Sequence, residues 1–559
     1  MGAGDYLTKL DESLSALGSQ WNGYSTGIAT AFVVMLTYSV MSRVEPEIHP
    51  MLLARQAQGS AVRQEGQSPI YRANSAPHGY PLNSGLNVKT PGASKWAAGR
   101  DGDLRDIWRN AISGDAGAIL TVLGREKVLD HKLSEITRQI NLVGQHIASQ
   151  GGKKVAIYLP NSVELLAALF ACSFHGLTAV LIPFNVSDAE LVSMLRRSEA
   201  DAVVTATGSF PFDSVVKSYP GLRQLIWVVD EGSKHMDWNE VPQGTGSRVN
   251  VSTWQDILND NPVAAGLELP AAEGQSPAKE VIMFTKKGGD LEEMVSFTQG
   301  NLVSAVSAQL TAVPSKYKLS QADLFLPASS LVSPFTLVMT LAALHANASV
   351  ALNSVAGATP DLELATAGVA PTVIVTEPEA ILKSHEQVNG KLTSYIAKAS
   401  HYVQTRSLVQ NGAMPAASFL ASYNDSIRPV FGTTPGKLRL LYVADTVGTQ
   451  SSRLSEAALS NLRVFTGSRV IHALAAPQVA GAVAQTQFHD YRVQGDGSGT
   501  HYGAPLSSVE VYLKDSGSHK ITDTDYTGEV VVRGPAVSGG EASIGIIGNI
   551  RQDNTLGRV

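Results

Sequence analysis

The stretch Val155–Asn185, VAIYLPNSVELLAALFACSFHGLTAVLIPFN, decides the fold. Together with Lys154 its first residues make a short apolar run stopped by Pro160, which reads as a strand over Lys154–Pro160. Ser162–Gly176 then reads as a helix and Ala179–Pro183 as a second strand. Strand, helix, strand at this spacing predicts a parallel βαβ unit. Working outward, Asp103–Ile112 reads as a helix, and Asp130–Gln150 as a longer one with Ile136, Ile140, Val143 and Ile147 at helical spacing. Ser187–Ser198 is a further helix, begun by Ser187 and Asp188 with Glu190 behind them, and Ala202–Thr205 a third strand. Buried-strand candidates follow at Leu225–Val229, Val281–Phe284, Ser349–Leu352, Thr372–Val375 and Leu438–Val443. Near the end the pattern changes. Val509–Leu513 and Gly528–Arg533 alternate like half-solvated strands around a turn-rich Asp515–Thr527, which predicts a small antiparallel β subdomain.

The bulk composition agrees with a globular protein. At 559 residues the length suggests roughly two to four structural units. With 44% hydrophobic and 16% charged residues there is material for a sizeable core. The 43 Lys and Arg against 49 Asp and Glu give a net charge of −6, and no basic stripe with interleaved aromatics is present. Nucleic acid is therefore not an expected partner. The one cysteine, Cys172, sits in an apolar helical run and can make neither an internal disulfide nor a zinc cage; a small buried hydrophobe is the expected role.

From Ser13 to Ser42 there is no charged residue, and Ile28–Met41 is apolar apart from Thr30, Thr37, Tyr38 and Ser39. About 20 mostly apolar residues cross a bilayer, and Trp21 and Tyr24 suit its interface. The acidic start, with Asp5, Asp11 and Glu12, disfavours a cleaved signal peptide. The expectation is one N-terminal transmembrane helix, a single-pass membrane protein with its bulk in the cytosol, at the endoplasmic reticulum or another organelle. Gly23-Tyr24-Ser25-Thr26-Gly27 matches Gly-x-Ser-x-Gly, but no apolar strand precedes it, so it is not read as a nucleophile elbow. The following segment is rich in Pro, Gly, Ser and Asn and reads as an extended arm.

Val155–Asn185 resembles the opening of the AMP-forming acyl-CoA synthetases, the adenylate-forming superfamily, and the order of later features keeps to it. Val281–Leu302 falls where that family has its glycine-rich phosphate loop, and Asp323–Leu352 where it has a Pro-x-x-His step and a long helix. Tyr502-Gly503-Ala504-Pro505 and Gly528–Pro535 resemble its Gly-x-Pro and Gly-Glu-Leu-x-x-x-Gly elements. The resemblance covers roughly Leu104 to Val559 and implies the layered α/β large domain of the adenylate-forming fold.

The same resemblance implies which positions would carry chemistry, and many are altered. A triphosphate needs backbone N–H groups bared by glycine, plus a lysine. The family loop Tyr-Thr-Ser-Gly-Thr-Thr-Gly-x-Pro-Lys-Gly-Val reads here Phe284-Thr285-Lys286-Lys287-Gly288-Gly289-Asp290-Leu291-Glu292-Glu293-Met294-Val295. Glu293 stands at the family lysine. A carboxylate about 4 Å from a phosphate charge costs about 1 kcal/mol in water and about 4 kcal/mol at an effective dielectric of about 20. The family's Tyr-Gly-x-Thr-Glu, whose Thr and Glu contact adenine and the metal, reads Leu474-Ala475-Ala476-Pro477-Gln478. Ser330 replaces the histidine after Pro327, and Ile546 replaces the ribose-binding aspartate in Ile544-Gly545-Ile546. Gly557-Arg558 resembles the hinge that leads to the family's small C-terminal domain, which is expected to be absent.

These readings divide the chain into a tail (1–20), a transmembrane anchor (21–42), an extended polar arm (43–103), an AMP-binding-like α/β domain (104–500) and a β subdomain (501–559). The expected function is that of a membrane-tethered, catalytically inactive ligase-like protein with a lipid-linked, scaffold or partner-binding role. No catalytic residue, metal site or cofactor is assigned. The alternative is an active acyl-CoA ligase that uses ATP, magnesium and CoA, with Lys286 or Lys287 on the phosphates.

Overall fold

The computed structural model describes residues 15–16, 21–41, 45–90, 92–94, 96–114, 117–124, 127–229, 249–271, 277–287, 291–354, 361–415, 427–434, 436–449, 453–493, 500–522 and 526–559. Among them three sheets form. The βαβ unit read from Val155–Asn185 is there as the strand Lys154–Tyr158, the helix Val163–Phe174 and the strand Thr178–Leu181, the two strands parallel. It stands at the centre of a seven-stranded sheet that runs on through Ala202–Ala206, Gln224–Val228 and Asn250–Thr253. The other edge of that sheet is the antiparallel hairpin Val281–Lys287 and Leu291–Phe297.

A nine-stranded sheet is built around the parallel strands Ser349–Leu352, Leu324–Pro327, Val373–Thr376, Leu440–Thr446 and Arg469–Ala475. Helices Val163–Phe174 and Pro334–His345 are apolar on nearly every side because they lie between the two sheets, and Leu133–Ser149, which is amphipathic, and Gln299–Ala312 turn their apolar faces to the same layer. Their buried residues join both sheets in one core. Outer helices, Asp188–Ser198 on one sheet and Glu456–Thr466 on the other, are amphipathic and close two further cores. Ser187 and Glu190 form the expected capping box.

The start of one helix differs from its reading. Lys127–His131 pairs with Ile119–Leu123 as a hairpin at the edge of the nine-stranded sheet, so the helix begins at Leu133 and not at Asp130.

The six-stranded sheet is antiparallel throughout, and contains Glu510–Lys514, Thr527–Arg533, Glu541–Ile550 and Leu556–Arg558. Its remaining strands, Ala57–Gly59 and Tyr71–Ala73, come from the N-terminal side of the chain. The described residues of 45–103 form a strap wound over this subdomain and fastened at intervals. The Gln56 amide donates to the Asp553 carbonyl, Asn554 to the Ala57 carbonyl, and Asn83 to Ser307 Oγ at 3.0 Å.

The N-terminal helix requires a correction. It forms at Gly23–Met41, but among the described residues no helix is long and apolar enough to cross a membrane, which overturns the transmembrane span and the membrane location built on it. Its first turns are Gly, Tyr, Ser, Thr, Gly, held by local polar bonds. The amides of Tyr24 and Ser25 donate to Asn22 Oδ1, and the Thr30 hydroxyl to the Thr26 carbonyl. The apolar run starts only at Ile28 and covers about 14 residues, or about 21 Å against about 30 Å of hydrocarbon.

Candidate functional site

In open α/β sheets, ligands bind beyond the carboxyl ends of the parallel strands. In the nine-stranded sheet that edge carries Pro327 with the following turn, Thr376, Asp445 and Ala475 with the loop to Gln478. The turn after Pro327 is held by Asn161, which donates to the Ser329 carbonyl at 2.8 Å and accepts the Leu331 amide at 2.8 Å.

The hairpin at the phosphate-loop position is a continuous ladder. It pairs from Val281 with Phe297 out to Lys287 with Leu291, with Thr285 opposite Glu293. Alternate amides along such a ladder are spent on the partner strand, so this backbone differs from a loop whose N–H groups all face an anion. Lys286 and Lys287 contribute backbone to the ladder, and Gly288 and Gly289 lie outside the described residues. Thr285 is half-buried, and its hydroxyl makes no hydrogen bond to the described residues.

Two of the altered positions meet. Gln478 Nε2 donates to Glu293 Oε1. The contact joins the residue standing at the family lysine to the one standing at the family's metal-binding glutamate. The surrounding loops hold it in place. Ser538 donates its amide to the Gln478 carbonyl at 2.9 Å and its hydroxyl to the Ser296 carbonyl at 2.7 Å. Asn301 donates to the carbonyls of Pro535 (2.6 Å) and Val537 (3.2 Å). A magnesium triphosphate needs a cation at the first position and an anionic oxygen at the second. The carboxylate and neutral amide present do not fit it.

Three of the remaining sequence-derived positions are buried, and Ser330 is half-buried in its turn. Leu474 is fully buried between Asp445 and Ala484, and Pro477 is buried beside it. Ile546 sits in the main core next to Gly545, whose φ of 73° opens an irregularity in the strand pairing. Ser330 Oγ accepts the Val332 amide at 3.3 Å.

Sequence reasoning missed Asp445. It is buried, and its Oδ2 accepts the Tyr502 hydroxyl with Arg558 Nη1 at 3.8 Å. Burial and the Asp445 charge push the Tyr502 phenol well above its usual range. The His472 ring lies 4.7 Å from the Tyr502 ring, and burial holds it neutral, at about 3. A lone acid at the end of the apolar strand Leu440–Thr446 was the available signal. Among the described residues no cluster of His, Cys, Asp or Glu has the geometry of a metal site. His501 instead accepts the Gly503 amide on Nδ1.

This arrangement, two α/β sheets sharing a helical layer with an antiparallel subdomain over their carboxyl edge, is the adenylate-forming architecture. Residues 133–285 match the family model of AMP-binding enzymes, and the match ends at Thr285, where the altered loop begins. An uncharacterized protein of Saccharomyces cerevisiae is 21% identical over 480 residues, covering 82% of this chain and 80% of that one. Among solved structures, the anthranilate CoA ligase AuaEII, held with anthranoyl-AMP, aligns over 82% of this chain and 78% of its own at 15% identity, TM-score 0.58. The N-terminal domain of FACL13 from Mycobacterium tuberculosis aligns over 82% of this chain and 99% of its own at 13% identity, TM-score 0.56.

Proposed function

We infer that this chain is a non-catalytic member of the adenylate-forming superfamily that acts by contact with a lipid or protein and not by adenylation. The observation that carries this reading is the hydrogen bond from Gln478 to Glu293, which closes on itself a cradle that the resemblance assigns to Mg·ATP. Reopening it would set Glu293 free to face a polyanion, and Gln478 offers magnesium only a neutral oxygen. The buried Leu474, Pro477 and Ile546 support the same reading, since none supplies the polar contacts that a nucleotide would need.

The test uses the purified full chain. Mg·ATP is titrated during thermal unfolding, and AMP is measured after incubation with ATP, CoA and either a fatty or an aromatic carboxylic acid. A ligand at 100 times its Kd stabilises its protein by about 2.7 kcal/mol. The expected outcome is no shift at millimolar Mg·ATP and no AMP above the protein-free blank. Stabilisation together with AMP release would restore an active ligase, with Lys286 or Lys287 as the candidates for the phosphate.

A further inference from the structure

The helix Tyr395–Asn411 is amphipathic in an inverted sense. The side it buries against Glu456–Thr466 carries Ala397, Ser400, Gln404 and Leu408. The side it leaves in solvent carries Tyr395 (91% exposed), Ile396, Tyr402 (64% exposed) and Val403. Tyr395, Ile396, Ala399, Ser400 and Val403 line an open groove of about 280 Å³. An apolar stripe of this kind on an exposed helix marks a surface that something covers.

The same molecule holds a helix with the opposite need. Gly23–Met41 carries no charge, and Ile28, Phe32, Val33, Val34, Met35 and Leu36 are all exposed. The two helices are joined at one end. Glu47 donates its amide to the Gly412 carbonyl at 3.0 Å, and Pro46 packs on Gly412, the left-handed cap that ends Tyr395–Asn411. Glu47 is pinned there by its carboxylate, which accepts from Arg469 at 2.7 Å and from the Tyr491 hydroxyl at 2.6 Å. Only Ser42, Arg43 and Val44 separate Met41 from this anchored segment. Four Cα steps reach at most about 15 Å, and packed helices lie about 8–10 Å apart, so the link can bring the helices side by side.

We propose that the helix Gly23–Met41 docks, within its own chain, along the Tyr395–Ile396–Tyr402–Val403 stripe. Tyr395–Asn411 ends at Gly412, and the short link keeps the C-terminal end of Gly23–Met41 within reach of the same point, so a docked pair would run parallel. Their lengths agree, at about 28 Å for 19 residues and about 25 Å for 17. A register that sets Met41 beside Asn411 brings Phe32 and Val33 level with Tyr402 and Val403, and small Ala29 level with Ala399. Gly23–Met41 carries no charge, and the one charge on the stripe, Arg406, donates to Gln410 one turn on and falls level with Leu36, where its long side chain can keep its guanidinium in water. The tether of three residues makes the encounter intramolecular, at an effective concentration in the millimolar range.

The experiment uses disulfide trapping in the full chain. Phe32→Cys with Tyr402→Cys is oxidised at low protein concentration beside a control, Phe32→Cys with Val263→Cys, whose second site is exposed on another element. All three substitutions are in solvent, so the fold is not at risk, and Cys172 is buried and silent. The expected result is a monomeric, internally bridged product forming at least tenfold faster than in the control. Adding Val403→Asp should reduce that rate toward the control. Equal rates, a bridged dimer, or loss of the bridge on addition of phosphatidylcholine–phosphatidylserine vesicles would each overturn the proposal. The last two would give the stripe to a second copy or to a lipid surface.

Discussion

At the scale of single residues, the pair Gln478 and Glu293 makes a sharp demand. The Gln478 amide donates to the Glu293 carboxylate. Gln478→Glu keeps the shape and places two carboxylates in contact, which costs between about 1 and about 4 kcal/mol depending on screening. Urea unfolding at pH 7 should show a loss in that range. An unchanged midpoint would mean that the two side chains do not meet in solution. Glu293→Lys with Gln478→Glu should remove the loss by making an ion pair. His472 gives a second demand of this size. Its folded value of about 3 lies below the unfolded value of 6.5, so between those limits the unfolded chain binds the extra proton. The stability it contributes is complete above pH 6.5 and falls by about 1.4 kcal/mol per unit as the pH drops toward 3. His472→Phe keeps the ring beside Tyr502 and removes the proton. At pH 4.5 the variant should gain about 2–3 kcal/mol on the parent relative to pH 7, and parallel curves would rule out the assignment.

At the scale of elements, the strap depends on one buried acid. Glu510 lies in the middle strand and accepts from Arg72 Nε on the strap at 2.6 Å and from Arg533 Nε on the next strand at 2.6 Å. Its side chain is nearly inaccessible. Removing one partner of a buried ionic group is costly, so Glu510→Ala should lose about 3 kcal/mol, whereas Glu510→Leu with Arg72→Leu should lose much less. Hydrogen exchange should show Tyr71–Ala73 losing protection first. If Tyr71–Ala73 keeps its protection in Glu510→Ala, the acid does not fasten the strap. The strap shows what the sequence hides. Tyr71–Ala73 is three residues long, too short for alternation to register, and the partner that ties it to the subdomain is more than 400 positions away. Val155–Asn185 was legible because its apolar runs, its proline stop and its helix all lie within one local window. The candidate site was legible in part. Substitutions at Glu293 and Gln478 can be read one by one, but their contact is a product of tertiary folding, and Asp445 carried no local mark beyond its place at a strand end. The anchor was misread because its window was counted from Trp21, and the Gly, Ser and Thr residues before Ile28 were included in its apolar length.

At the scale of the whole molecule, the three sheets share one apolar core. It contains Ile157 and Met283 from the seven-stranded sheet, Val350 and Tyr442 from the nine-stranded sheet, and Val511, Val532 and Leu556 from the six-stranded sheet. Chains of this size commonly unfold domain by domain, because each domain buries its own core. Here, separating the β subdomain would expose core side chains and also break the hydrogen bonds that Asn301 and Ser538 make across the junction. It would also take away the Ser538 amide that holds the Gln478 carbonyl, and with it a support of the Glu293–Gln478 contact. The stability of the six-stranded sheet and the state of the site are therefore coupled. Hydrogen exchange across a urea series should give one midpoint for residues 155–158, 440–446 and 528–533. Asn301→Ala should lower all three together, by about 1–3 kcal/mol for the buried carbonyls left unpaired. A β subdomain that loses protection at lower urea while the parallel sheets keep theirs would break that coupling, and the cradle would then open without unfolding the rest.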